Sequence, residues 1–143
     1  MLPALTIVIV AFVFKDVNDQ LGLADYVIDN VAHSMTPVLL PLIVFVTMSF
    51  ISFATGSSWG VFTIAIPVIL PLAESLGVSI PLAIGAIVSA SAFGSHACFY
   101  SDSTVLAAQG CGCDVMDHAL TQIPYALIAA CIAGLGLTLL AAL

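Results

Sequence analysis

Residues 94–104 read Gly94-Ser95-His96-Ala97-Cys98-Phe99-Tyr100-Ser101-Asp102-Ser103-Thr104, and they interrupt a chain that is otherwise mostly hydrocarbon. The run 82–94 before them is apolar, and residues 105–108 are apolar again. A carboxylate, an imidazole and several hydroxyls therefore fall within what reads as one spanning segment. As a helix, residues 82–94 would be about 20 Å long at 1.5 Å per residue. The hydrocarbon core of a bilayer is about 30 Å thick. A break beginning at Ser95 is thus expected inside the membrane rather than at its edge. Polar groups at that depth are costly and by default mark a substrate or ion pathway.

The composition sets the solvent. The chain is 62% hydrophobic and 6% charged, where a soluble domain carries roughly a quarter charged residues. There is no polar surface with which to enclose a core in water, so the expected fold is an all-α integral membrane protein, one transmembrane domain over residues 1–143. The formal net charge is −7, and Lys15 is the only basic residue. Nucleic acid is excluded as a partner, since nothing could neutralise its phosphates, and so is a polybasic membrane-surface patch. The rule that counts Lys and Arg in short loops has only Lys15 to act on, and it puts residues 15–36 on the cytoplasmic side. Met1 is followed at once by apolar residues without a charged leader, so no cleaved signal peptide is expected. The chain opens in mid-run, as a fragment of a longer protein would.

Outward from residues 94–104 a second break appears. Thr55-Gly56-Ser57-Ser58-Trp59-Gly60 separates the apolar runs 37–55 and 61–73. Residues 37–73 are too long for one ordinary span and slightly short for two of about 20 residues. One full helix over 37–55, capped by Ser34 or Thr36 with Pro37 at its first position, plus a short or re-entrant piece is the economical fit. Pro67 and Pro71 argue that the second piece is not a regular helix. Residues 2–14 form an apolar run too short to span, and 15–36, with Asp16, Asp19, Asp25 and Asp29 among apolar neighbours, read as an interfacial connector. Residues 74–81 read as an interfacial turn, 109–118 as a polar loop and 119–143 as a final span. That makes four to five crossing or re-entrant pieces in a helical bundle with two interrupted helices. Irregular backbone at bilayer depth survives only where protein buries it or it lines a cavity. Secondary transporters use such broken helices to aim helix ends at ions and substrates.

Asp102 is the sharpest candidate for chemistry. Its plain structural alternative is an N-cap for a helix beginning near Ser103. A cap contributes about 1 kcal/mol, whereas an Asp at mid-bilayer costs on the order of 3 kcal/mol, and Asn or Ser would cap at lower cost. A cation- or proton-binding carboxylate is the better reading. Ser101, Ser103 and Thr104 offer neutral oxygens beside it, and Thr55, Ser57 and Ser58 do so at the other break; hard cations prefer oxygen ligands. Each hydroxyl alone could equally cap a helix or bond its own backbone. His96 could relay protons near neutral pH, or be a satisfied structural histidine, while His118 reads as an interfacial anchor. Cys131 reads as a small core residue. His96, Cys98, Cys111, Cys113 and His118 are ligand types that zinc favours, but their spacing is not that of a zinc site, and no metal site is expected. Without a nucleophile elbow, a phosphate loop or paired carboxylates on one helix, no enzyme is expected either.

Three strings, Phe53-Ala54-Thr55-Gly56-Ser57-Ser58-Trp59-Gly60, Ala92-Phe93-Gly94-Ser95-His96 with Tyr100-Ser101-Asp102-Ser103-Thr104, and Asp117-His118-Ala119-Leu120-Thr121-Gln122-Ile123-Pro124-Tyr125-Ala126, together resemble the NhaC-type sodium/proton antiporter family. In order and spacing they look like its C-terminal part, from about residue 37 onward. The resemblance implies one half of an inverted-repeat transporter, a multi-pass protein of the cell inner membrane that exchanges Na+ for H+. Some relatives carry organic acids or amino acids instead, and a transport-inactive membrane subunit is a further alternative. Residues 55–60 and 101–104 would line the translocation site, with Asp102 the matching acidic residue. Ser95 departs from the family, which often has Asp there, and Phe99-Tyr100 replace smaller residues and a Pro. No cofactor is implied beyond the transported Na+ and H+. The implied partners are the lipid bilayer, a small cation or small-molecule substrate, and a second subunit or second copy supplying the missing half.

Overall fold

A computed structural model describes residues 36–143, together with Val13, Val17, Gln20 and Leu21. The apolar run 2–14 and nearly all of the connector 15–36 lie outside the described residues. Five helices follow in order among the described residues: α1 (Leu40–Thr55), α2 (Ser58–Ser75), α3 (Ile80–Ala97), α4 (Asp102–Cys111) and α5 (Val115–Ala142). The fold is all-α. Three of these helices, α2, α3 and α5, are long and apolar enough to cross a membrane.

The helix boundaries follow the backbone chemistry of Pro, Gly and Ser, though not always where the sequence pattern put them. Helix α1 begins at Leu40 rather than at Pro37, which sits in a preceding turn closed by Leu39 N–H on the Thr36 carbonyl at 2.9 Å. Pro41 then occupies the first turn, where a missing N–H costs nothing. The expected short second piece is instead an unbroken 18-residue helix containing both Pro67 and Pro71. The prolines are four residues apart, so the backbone carbonyls they leave unbonded lie on one side while the rest of the ladder continues. The full span and the short piece are thus exchanged: α1 has 16 residues and α2 has 18.

Helix α3 lies at the centre. It packs against α1, α2, α4 and α5, and its inner face is built from Ala83, Ala86, Ala90 and Gly94, all buried. Side chains this small let neighbouring backbones approach closely. Leu40, Val44, Phe45 and Met48 of α1, Val61, Ala65 and Ile69 of α2, and Leu137 of α5 complete the core. The closest approach is at Gly94, where an added Cβ would lie 2.7 Å from the Phe53 amide nitrogen of α1. Beside it, the Ser52 hydroxyl donates to the Ser91 carbonyl at 3.1 Å, a bond between two buried serines.

Helix α3 also corrects the expected position of the break. It runs through Ser95 and His96 to Ala97, 18 residues in all, about 27 Å, nearly the full hydrocarbon core. The break therefore begins at Cys98, three residues later than expected. The expected polar loop 109–118 shrinks to residues 112–114, because Gln109 to Cys111 finish α4 and His118 belongs to the start of α5. Asp114 caps α5, accepting from the Met116 N–H at 2.8 Å. Helix α5 turns large side chains outward, among them Leu127, Ile128, Ile132, Leu135 and Leu139. Cys131 shares that outer surface and is exposed rather than core.

Candidate functional site

Both predicted breaks are turns between helices, and the chain brings them together. At the first, Gly56 ends α1 with φ of 63°, a left-handed conformation that favours glycine, and its N–H bonds the Ser52 carbonyl. At the second, residues 98–101 link α3 to α4. The Tyr100 ring from this second turn covers Gly56, so closely that a Cβ on Gly56 would meet the ring at 2.9 Å. The Tyr100 hydroxyl donates to the Ala54 carbonyl at 2.6 Å. That carbonyl belongs to the last turn of α1, where no further helical N–H can reach it. One side chain thus ties the two turns into a unit.

Gly56→Ala is expected to destabilise the protein by about 2 kcal/mol, combining left-handed strain with displacement of the Tyr100 ring. In a Tyr100→Ala background the same change should cost less, because only the backbone strain remains. Thermal unfolding of the four detergent-solubilised variants measures this coupling, and additive costs would contradict it.

The hydroxyls of the second turn form a compact knot. Helix α3 ends at Ala97, so the Ser95 carbonyl lacks its helical donor. Ser101 and Ser103 donate to it instead, Ser103 at 3.1 Å. Thr104 donates to the Cys98 carbonyl at 2.9 Å, and its backbone N–H bonds the Ser101 hydroxyl at 3.2 Å. Ser101 is therefore the N-cap of α4, which corrects the structural alternative considered for Asp102. Ser101 and Thr104 are buried and bonded within the knot. Ser101→Ala should lower stability by about 1 kcal/mol, and Asp102→Asn by less, since it keeps its oxygen for the Ser103 N–H and loses only an exposed charge beside the helix end.

Asp102 is the first residue of α4, with its side chain exposed. A negative charge is favourable there beside the positive end of the helix dipole, and Oδ1 accepts from the Ser103 N–H at 2.8 Å. With capping done by Ser101, the carboxylate makes no further side-chain bond among the described residues. It lines a cavity of about 490 Å³ between α2, α3 and α4, together with Ser58, Trp59, Ser91, Ser95, His96 and Ser103. Among the described residues Asp102 is the one carboxylate in this lining. Serine oxygens keep lone pairs even while their protons are donated, so the walls offer one negative charge, several neutral oxygens and an imidazole.

Of the predicted site residues, the structure brings Asp102, Ser103, Ser58 and His96 to one cavity. It leaves four out of its walls. Ser101 and Thr104 serve the knot. Thr55 bonds its own helix through the Ile51 carbonyl at 2.8 Å, and Ser57 caps α2 by accepting from the Gly60 N–H at 3.3 Å. Ser91 lines the cavity without having been singled out; it sits in an apolar run whose helical phase was the only clue. Among the described residues no group of three or more His, Cys, Asp or Glu side chains is placed to hold a metal.

The chain is 29% identical over 134 residues to an uncharacterised protein of Haemophilus influenzae, covering 93% of this chain and 26% of that protein. It is 37% identical over 87 residues to the malate-2H(+)/Na(+)-lactate antiporter of Bacillus subtilis, covering 61% of this chain and 19% of the antiporter. The matched region thus spans 26% and 19% of the length of these relatives. No solved structure matches it. The model of the Na+/H+ antiporter family matches residues 1–142, and the chain belongs to that family.

Proposed function

We propose that this chain is part of a secondary active transporter of the NhaC type, exchanging Na+ for H+ across the inner membrane, with Asp102 alternating between ion and proton. The observation that carries this reading is the cavity that joins Asp102 and Ser103 of α4 to His96 of α3 and Ser58 of α2. A hard cation is suited by a carboxylate with neutral oxygens, and one carboxylate is all that competition between Na+ and H+ requires. His96 stands at the last turn of α3, where an imidazole can pass protons to or from the carboxylate. Ser103, Ser58 and Ser95 supply neutral oxygens, while Ser101, Thr104, Thr55 and Ser57 shape the walls from behind. No cofactor takes part beyond the transported ions.

The likeness to an antiporter named for malate and lactate supports a second reading, in which an organic acid shares the cycle. In either case further spans complete the path, from a second subunit or a second copy of the chain. The test is proton release from proteoliposomes that hold the chain, alone and with whatever membrane partner co-purifies. Added Na+ is expected to acidify or alkalinise the lumen according to its gradient, and K+ is not. Silence toward Na+ in both preparations, with a partner stably bound, would instead make the chain a transport-inactive subunit.

A further inference from the structure

The turn between α4 and α5 presents two thiols side by side. Cys111 is the last residue of α4, Gly112 follows with φ of 67°, and Cys113 leads into the Asp114 cap of α5. Two backbone bonds close the turn, from the Gly112 N–H to the Gln109 carbonyl at 3.2 Å and from the Cys113 N–H to the Ala108 carbonyl at 3.1 Å. This is the pairing with which a left-handed residue ends a helix. The Cys113 thiol rests on that same Ala108 carbonyl at 3.7 Å, a contact that rotation about one bond releases. Two residues of fully extended chain span at most about 7 Å between their end Cα atoms, and the left-handed bend at Gly112 shortens the distance. Cα atoms joined by a disulfide are usually about 4.4–6.8 Å apart, so residues 111 and 113 stand within bridging range.

The four cysteines differ in what can reach them. Cys98 is buried in the turn that Tyr100 covers, and Cys131 shares the outer surface of α5 with Leu127, Ile128 and Leu135. Cys111 and Cys113 are exposed, lie outside the three candidate spans and are followed by the exposed Asp114 and Asp117, carboxylates that water holds and hydrocarbon does not. A charged, water-soluble reagent therefore meets these two cysteines and not the others. Zinc would need four ligands, and among the described residues no group of three His, Cys, Asp or Glu is placed to hold a metal. Redox-sensing cysteines are exposed thiols beside a second thiol that resolves the first adduct. We propose that Cys111 and Cys113 form a reversible dithiol–disulfide site whose oxidant is a small water-soluble disulfide of the glutathione class. The thiolate of one cysteine attacks a sulfur of glutathione disulfide, whose S–S bond breaks and releases one glutathione thiolate. The second cysteine, giving up its proton, attacks the protein sulfur of the mixed disulfide and expels the other glutathione. Two protons and two electrons thus pass from the cysteines to the two glutathiones, the protein being oxidised and glutathione disulfide reduced.

Mass spectrometry tests the site without requiring transport. The full chain in detergent, freed of reductant, is treated with glutathione disulfide and quenched with acid; its remaining thiols are alkylated after denaturation and its peptides are weighed. The peptide holding residues 111 and 113 is expected to lose two hydrogens and retain no glutathione, while Cys98 and Cys131 are found alkylated. Dithiothreitol should reverse the change. Cys111→Ser and Cys113→Ser each leave one thiol at the turn and should instead keep glutathione as a mixed disulfide. Neighbouring thiols can also be oxidised in an unfolded chain, so the contribution of the turn is read by repeating the equilibrium in SDS and urea. At a fixed ratio of glutathione to its disulfide, the proportion of internal disulfide to dithiol should fall at least tenfold on unfolding. Glutathione retained on the unsubstituted chain, a bridge from either residue to Cys98, Cys131 or a second chain, absence of oxidation, or equal proportions in the folded and unfolded chain would each overturn the site. None of these outcomes bears on whether Na+ moves protons, so failure here and failure of the cation assignment are told apart.

Discussion

Gly94→Ala is expected to lower the stability of the bundle by about 2 kcal/mol, in a helix where the same change nine residues earlier should do no harm. A Cβ at Gly94 would lie 2.3 Å from the Ser52 Cβ, 2.4 Å from its hydroxyl and 2.7 Å from the Phe53 amide nitrogen. The Ser52 hydroxyl can rotate away, but the Ser52 Cβ and the Phe53 backbone cannot, so α1 and α3 must move apart. That movement strains the packing of both helices and stretches the Ser52–Ser91 hydrogen bond. Overpacking of this kind costs typically 1–3 kcal/mol, occasionally more. Alanine is the better helix former by about 1 kcal/mol, which offsets part of the loss. Gly85 of the same helix has open space around it, so Gly85→Ala should be neutral or stabilising. Gly94→Val should exceed Gly94→Ala. Thermal unfolding in detergent separates the cases, and equal midpoints for Gly94→Ala and Gly85→Ala would refute the close crossing.

Asp102→Asn is expected to abolish Na+-dependent proton movement, by at least tenfold, while leaving the fold intact. Asparagine keeps an oxygen for the Ser103 N–H and remains acceptable at the first turn of α4, so the knot around Ser95 is undisturbed. What disappears is the negative charge that Asp102 brings to the 490 Å³ cavity, and with it the group proposed to hold a proton or a cation in turn. Asp102→Glu should retain a partial response, its carboxylate displaced by one methylene from the hydroxyls of Ser103 and Ser58. Proteoliposome flux and the unfolding midpoint must be read together. Full activity in Asp102→Asn would remove Asp102 from the ion path, whereas lost activity with a lowered midpoint would show only a damaged fold.

The all-helical membrane architecture was legible because lipid leaves little choice: 62% hydrophobic residues with 6% charge can satisfy their backbone only in helices or closed barrels. The turn at 56–57 was visible in the cluster Thr55-Gly56-Ser57-Ser58, and the turn at 98–101 falls within the polar stretch 94–104. What misled was the position of the second break along the chain. Ser95 and His96 look like a break in hydropathy, but neither disrupts helical backbone, so α3 passes straight through them. Pro67 and Pro71 look like breakers, yet a helix supported along its length keeps its form around two missing donors. The division of labour at 101–104 was not legible either. Ser101 and Asp102 are both good caps, and only the position of the Ser95 carbonyl decides that Ser101 serves and Asp102 is left free. The tie from Tyr100 to Ala54 spans 46 residues, a separation that no local pattern encodes.

The length of α5 bears on how the protein meets bilayers of different thickness. Its 28 residues measure about 42 Å, well beyond the hydrocarbon thickness of about 30 Å. A helix longer than the apolar layer tilts, kinks or runs past its boundary, so a thicker bilayer should lessen the mismatch and a thinner one increase it.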